Sequence, residues 1–497
     1  MIERVSSLHS CAKWLCILLC LSCPLAPSLA DEAEGPLTLH EVLESVTNQY
    51  PPYLAALIER DIASGRYRSA LGAMDLQTYM KVFDNPTGFY ESTTAEAGFE
   101  QFTPFRGATV FGGYRYTEGF LPDYYRNRTN EGGTPMLGLR LPLLRDGSID
   151  SRRAAIYKTD LDRKLADPLI FKQHLDFTQS AMKAYYYWLA TGLKYETTAS
   201  LLQIAKDRDG AIQSQIESGL VAPIAQLENQ QLVVSRELSA IKARRQLEAA
   251  TVILSLFYRD ANDEPVLPSR KRLPALFPAP QSLPADTLSK TLTHASITRP
   301  EVRIYEIELQ KLNVDTRLFR NQLQPRLDAF AEASQSLGNQ LYKDTGEFEL
   351  KLGIEFKMPL QRNKAKGKLQ ENAAKIEQWQ QKTRFAMDKI ATEVWDAHSA
   401  VNAAWEQVAQ AKQNVDLATQ LHDVEKDRFA LGATDFLALQ IREQTAFKAR
   451  LTEVEVLQTY YISLANLITS AGIDCRHVMT EGDPHPVEWL SAVPPVR

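Results

Sequence analysis

The chain has 497 residues, more than one ordinary globular domain holds, so it is either several domains or one elongated object. Its formal net charge of -5 leaves no basic excess of the kind that marks a nucleic-acid footprint. With 44% hydrophobic and 24% charged residues, it is not a disordered chain either.

Residues 1–30 read as a secretory signal. Arg4 and Lys13 carry positive charge, and residues 14–23 form an apolar run too short to span a bilayer as a helix. Ser28 and Ala30 supply the small residues of a cleavage site, which places the cut between Ala30 and Asp31. Four of the five cysteines (Cys11, Cys16, Cys20, Cys23) fall inside that segment, so the exported chain keeps only Cys475. A competing reading makes Cys23 a lipidated first residue. No later stretch offers 18 consecutive apolar residues, so an exported chain is soluble or enters the membrane as a β-barrel.

Glycine and proline are unevenly placed. Thirteen of the 23 Gly precede residue 148, whereas residues 369–470 contain only Gly432. No Pro lies between Pro359 and Pro484. Helix interiors exclude both residue types, so long helices are predicted.

In chain order, residues 37–76 are helical in pattern, broken at Pro51-Pro52. A strand is expected within 97–117, where Val110, Gly112, Tyr114 and Tyr116 share a face, and another at 136–144 around Leu137, Leu139 and Leu141. A helix of roughly 70 residues follows at 149–217, a rod of about 100 Å. After a turn at Gly219 comes a helix at 222–257. A Pro-rich linker occupies 259–299. The second half, 300–471, repeats the order, with strands at 326–337 and 347–359 and helices at 363–430 and 434–470 on either side of Gly432. The segment 472–497 is irregular. From Pro142 to Gly219 is 77 residues and from Pro359 to Gly432 is 73, so the unit reads as an internal duplication within 31–258 and 300–471.

Two patterns are sharp. Ile390, Val394, Ala397, Val401, Ala404, Val408, Ala411, Val415 and Ala418 step by alternating fours and threes, a heptad seam, extended by Met387, Ile376, Ala373 and Leu369. In 347–358, Phe348, Leu350, Leu352, Ile354, Phe356 and Met358 alternate with Glu349, Lys351, Gly353, Glu355 and Lys357. An apolar face toward lipid and a charged face toward a lumen suits a tilted transmembrane strand. Four strands cannot close a barrel, so the reading is of three chains sharing twelve.

With these pieces in order, the mature chain resembles the TolC-like outer-membrane efflux family. The resemblance is carried by LTLHEVLES from Leu37, by LPLLRDGSIDSRRAA from Leu141, and by the two Gly turns. It implies an α+β membrane protein: a homotrimer with a twelve-stranded outer-membrane barrel, continued by an α-helical barrel across the periplasm. It also implies a periplasmic adaptor, an inner-membrane transporter reached through it, and a role in efflux or type I secretion. The adaptor-docking tip would comprise Gly219, Leu220, Val221, Arg428, Phe429, Gly432, Ala433, Thr434 and Asp435. Many members of that family place an acidic residue six positions after the turn Gly, where this chain has Ala225 and Ala438. Glu228 and Asp435 are the substitutes nearest in sequence.

Catalytic signals are absent: His40-Glu41 lacks the second His of a zinc helix, and there is no Gly-rich phosphate loop. No enzyme, cofactor or metal is expected. The rival to a duct is an exported or lipid-anchored coiled-coil scaffold without a pore, for which the 347–358 strand has no use.

Overall fold

The structure, a computed structural model, describes residues 35–121, 128–219, 222–341 and 345–475. The predicted signal with its cleavage site at Ala30 and Asp31, Cys23, and the tip residues Leu220 and Val221 lie outside them.

Three short helices open the chain: α1 (Leu39–Gln49), α2 (Pro51–Leu57) and α3 (Glu59–Leu71). Thr38 and Glu41 form a capping box at the start of α1. Pro51-Pro52 forms the first turn of α2, where missing N–H groups leave no bond unmade. Four strands follow, β1 (Gln77–Asn85), β2 (Ser92–Phe102), β3 (Thr109–Gly119) and β4 (Thr134–Pro142). Then come α4 (Ser151–Glu217) and α5 (Ile224–Ser255). The middle of the chain holds α6 (Thr287–Thr298) and α7 (Pro300–Gln322). The remainder is β5 (Arg326–Gln335), β6 (Phe348–Lys357), α8 (Asn363–Ala430) and α9 (Phe436–Ser470).

The strand count corrects the sequence reading. Six strands, not four, form one antiparallel sheet in the order β1 to β6. The stretch 97–117 is parts of two strands joined by a short turn, and β1 had no counterpart in the sequence reading. Gly98, Gly112 and Gly113 interrupt the apolar alternation that would have separated β2 from β3. In β1, apolar residues stand on both faces (Met80 and Val82 on one, Tyr79 and Phe83 on the other), so a period of two is hard to see. The linker is also not wholly irregular, since α6 lies within it. The strands therefore divide four to two between the halves, while the helices match: 67 and 68 residues for α4 and α8, 32 and 35 for α5 and α9.

At a rise of 1.5 Å per residue, α4 and α8 are rods of about 100 Å. The main core lies partway along them, where α1, the linker and the end of α9 wrap α4. Tyr186 of α4 stacks on Tyr461 and Phe277 at centroid distances of 4.6 and 6.3 Å. The hydroxyl of Tyr185 donates to the Leu37 carbonyl at 2.9 Å. The aromatic run at 185–188 is therefore core packing.

The heptad seam of α8 is buried from Ile390 to Ala418, with Val415 partly covered. Its N-terminal extension differs from the prediction in part: Ala373 and Met387 are exposed, Ile376 is half-buried as the seam requires, and the buried positions are Asn372 and Ala386. Asn372 at this position donates to the Leu312 carbonyl at 3.0 Å and to Thr316 Oγ1 at 2.7 Å, tying α8 to α7.

Candidate functional site

The molecule presents two surfaces that a compact globular protein would not. The first is the sheet. In β6, Phe348, Leu350, Leu352, Ile354 and Phe356 stand on one face and Glu349, Lys351, Glu355 and Lys357 on the other. Met358 lies just past the strand end and is half-buried, so it drops out of the predicted apolar set. The register carries this division across the sheet. Leu350, Leu352 and Ile354 oppose Ala333, Ala331 and Ala329 of β5, which oppose Leu137, Leu139 and Leu141 of β4. Those continue through Val110 and Tyr114 of β3 and Phe99 and Ala97 of β2 to Met80 of β1. The opposite face carries Lys81, Glu96, Arg115, Arg140, Glu332 and Lys351. Arg115 pairs with Glu96 at 2.7 Å, and Tyr79 donates to Glu96 at 2.9 Å.

Aromatic side chains meet glycines directly across this sheet. Tyr79 opposes Gly98, Phe99 opposes Gly112, Phe111 opposes Gly138 and Phe330 opposes Gly353. A Cβ at Gly353 would lie 2.2 Å from the Phe330 ring, so the ring occupies the space where a larger residue cannot fit. At the end away from the helices, Phe89, Tyr90 and Phe120 cluster with centroids 4.8 to 5.7 Å apart. At the helix end, Phe105 in the turn after β2 is exposed, while Phe102, on the charged face, lies under Arg152. Across the eleven residues of β2, the distance between these two aromatic levels is about 27 Å for a strand tilted about 35°. That is the height of the apolar band of a membrane barrel.

The second surface is the far end of the helices. Gly219 and Gly432 both have left-handed backbones, with φ of +72° and +71°. At Gly432 the helix closes as a Schellman motif: Gly432 N–H donates to Phe429 at 3.0 Å and Ala433 N–H to Arg428 at 2.8 Å. Asp435 then caps α9, accepting from Ala438 N–H at 2.7 Å, while Thr434 stands beside it without that role. Arg428 and Ala433 are exposed. Phe429 is not a free contact: it packs against Phe436, in a small core with Ile212, Ile216 and Ala225. Among the described residues at this end, Leu431 is the most exposed apolar side chain at 83%, with Ile224 and Leu437 also facing outward; all three fall outside the heptad seam of α8. Of the two candidate acidic residues, Glu228 is exposed, whereas the Asp435 carboxylate is committed to its cap.

Behind the tip lies an ion cluster with no sequence signature. Glu443 of α9 is buried and bonds to Arg208 at 2.7 Å and Arg236 at 3.0 Å, so it joins α4, α5 and α9. Arg236 also donates to the Leu201 carbonyl. Burial alone would raise the Glu443 carboxyl, but the two guanidinium groups outweigh it and hold it below the ordinary range.

Other polar residues singled out by type have structural roles. Glu41 completes the capping box and bonds Arg272 at 2.6 Å. His174 is buried beside Asp474 at 3.0 Å. Among the described residues, no three His, Cys, Asp or Glu side chains form a metal cluster, and no helix is long and apolar enough to cross a membrane.

Compared by sequence, the chain matches no protein-family model and no curated protein. Solved structures do match it. The open state of the Neisseria gonorrhoeae MtrE outer-membrane channel is 14% identical with a TM-score of 0.64, over 88% of this chain and 89% of that one. The Campylobacter jejuni CmeC outer-membrane channel is 13% identical with a TM-score of 0.62, over 94% of both chains. The outer-membrane protein VceC of Vibrio cholerae is 15% identical with a TM-score of 0.60, over 87% of this chain and 96% of that one. The apolar-faced sheet, the paired long helices and these matches lead to one conclusion: the chain has the fold of the TolC-like outer-membrane channels.

Proposed function

We propose that the protein is an outer-membrane exit duct, assembled from three copies, that conducts substrates passively from the periplasm to the outside. The observation that carries this reading is the continuous apolar sheet face, joined at one end to helices of about 100 Å. In hydrocarbon, the unpaired edges of β1 and β6 must find partners, because no water is there to satisfy them. The helices support a multi-copy assembly as well. Leu227, Val234, Leu238 and Ile241 on α5 and Leu417, Leu421 and Val424 on α8 are large apolar residues left exposed at heptad-like spacing. A second copy covers such seams. A pore-free scaffold leaves the sheet unexplained.

In this reading the helical barrel crosses the periplasm, and its tip docks an adaptor that links it to an inner-membrane transporter. The transporter selects the cargo, for efflux or for type I secretion, and the duct does not. The tip residues are Gly219, Arg428, Leu431, Gly432, Ala433 and Thr434, with Leu220 and Val221 beside them in sequence. Gly432→Val tests this. Nothing lies within 4 Å of a Cβ there, so the variant meets backbone strain without a clash, about 1–2 kcal/mol. The expected result is an assembled channel that no longer cross-links to its adaptor and no longer supports export. Docking and export at wild-type level would remove the tip as the docking site.

A further inference from the structure

The β1–β2 hairpin changes how the barrel closes. Resting on the three-copy reading above, we propose that β1 of each copy pairs antiparallel with β6 of the next, closing a barrel of eighteen strands. The resemblance to TolC-like proteins implied twelve.

Four observations carry this. First, β1 and β6 are the free edges of the sheet, and an even number of strands makes them antiparallel to each other. Second, the sheet is already sheared. The row of residues that starts at Gln77 of β1 runs through Glu100, Phe111, Gly138 and Glu332 to Lys351, six residues short of the end of β6 at Lys357. A stagger of about one residue per strand corresponds to a tilt of about 35°, within the range of closed barrels.

Third, the two edges fit. Only an even offset keeps the apolar faces together, because a slip of one residue turns every side chain over. An offset that sets Gln77 level with Lys357 puts Met80 opposite Ile354 and Val82 opposite Leu352 on the apolar face. On the polar face it puts Tyr79 opposite Glu355 and Phe83 opposite Lys351, with Lys81 diagonal to Glu355. Shifting by two toward the outer rim would set Lys81 directly on Lys351, which like charges disfavour. In one copy alone, Met80 is 74% and Ile354 72% exposed.

Fourth, the diameters agree. Three copies bring twelve long helices, and a ring of twelve at 9 Å spacing is about 34 Å across. Eighteen strands tilted by 35° give about 33 Å, whereas twelve give about 22 Å. The added hairpin lets the sheet continue the helical barrel without a step, and eighteen strands leave an open aqueous lumen. The outer-membrane stage then does not narrow the path.

Paired cysteines test the closure in the assembled protein. The native Cys475 is a quiet background: burial pushes its thiol up to about 12. With Met80→Cys and Ile354→Cys in one chain, a short bismaleimide should give a ladder of covalent species that ends at three copies. Native mass in detergent, measured on the uncrosslinked protein, should also give three. The proposal is overturned if Met80→Cys stays unlinked while Val110→Cys links to Ile354→Cys, because β3 then closes on β6 and the barrel has twelve strands. A ladder ending at any other number overturns the count of eighteen. A monomer by native mass would instead overturn the three-copy reading on which the closure rests.

Discussion

Leu352→Arg should largely abolish assembly into the outer membrane, while Lys351→Arg, one residue away, should leave it near wild type. Leu352 is mid-strand on the apolar face, opposite Ala331, and 69% exposed in a single copy. An Arg there places a charge near the middle of the hydrocarbon, at a cost of roughly 2–4 kcal/mol per chain. The cost recurs in every copy of a symmetric assembly. Lys351 opposes Glu332 on the charged face, where exchanging one cation for another leaves the charge pattern unchanged. The readout is the fraction of heat-modifiable, membrane-extracted oligomer on a gel. Equal yields for the two variants would show that the two faces of β6 do not differ in environment, and the barrel assignment would fall.

The parts of this fold that could be read from sequence were those with a strict period. The α8 seam repeats over nine positions, and the structure buries it. β6 alternates over ten residues because one face is apolar and the other charged, which needs no tertiary knowledge. β1 and β2 hid because their alternation is diluted: glycines stand where a cross-strand ring occupies the space, and Tyr79 and Phe83 put aromatics on the polar face. Such pairs are recognisable only once the register is known. The tip was half legible. Gly219 and Gly432 mark their turns through a backbone that other residues avoid, and Asp435 announces its cap. The inward packing of Phe429 depends on Phe436 and Ile216, which no spacing rule connects. The ion cluster joins residues 208, 236 and 443 from three helices, a separation that leaves no local pattern.

That cluster yields the other large effect. Replacing Glu443 with Ala should loosen the tip by about 3–5 kcal/mol, because Arg236 is left buried with no counter-ion. Arg208 is less enclosed and can turn toward water, so the loss belongs mainly to Arg236. Since the sheet and the main core lie elsewhere on the helices, the effect is local. It should appear as faster amide exchange and protease cleavage around the ends of α4, α5 and α9, with the oligomer intact. Acid should act in the same way on the wild type. The folded carboxyl titrates below its unfolded value, so its stabilisation is present above an unfolded pKa of about 4.3 and fades as the pH falls below that. Glu443→Gln should lose this acid dependence and be loose at neutral pH already. Changing Glu443 to Leu together with Arg236 to Met should restore most of the protection, since an apolar pair of similar volume removes the unpaired charge. If Glu443→Ala protects its tip amides as well as the wild type does, the three-way ion pair does not hold these helices together.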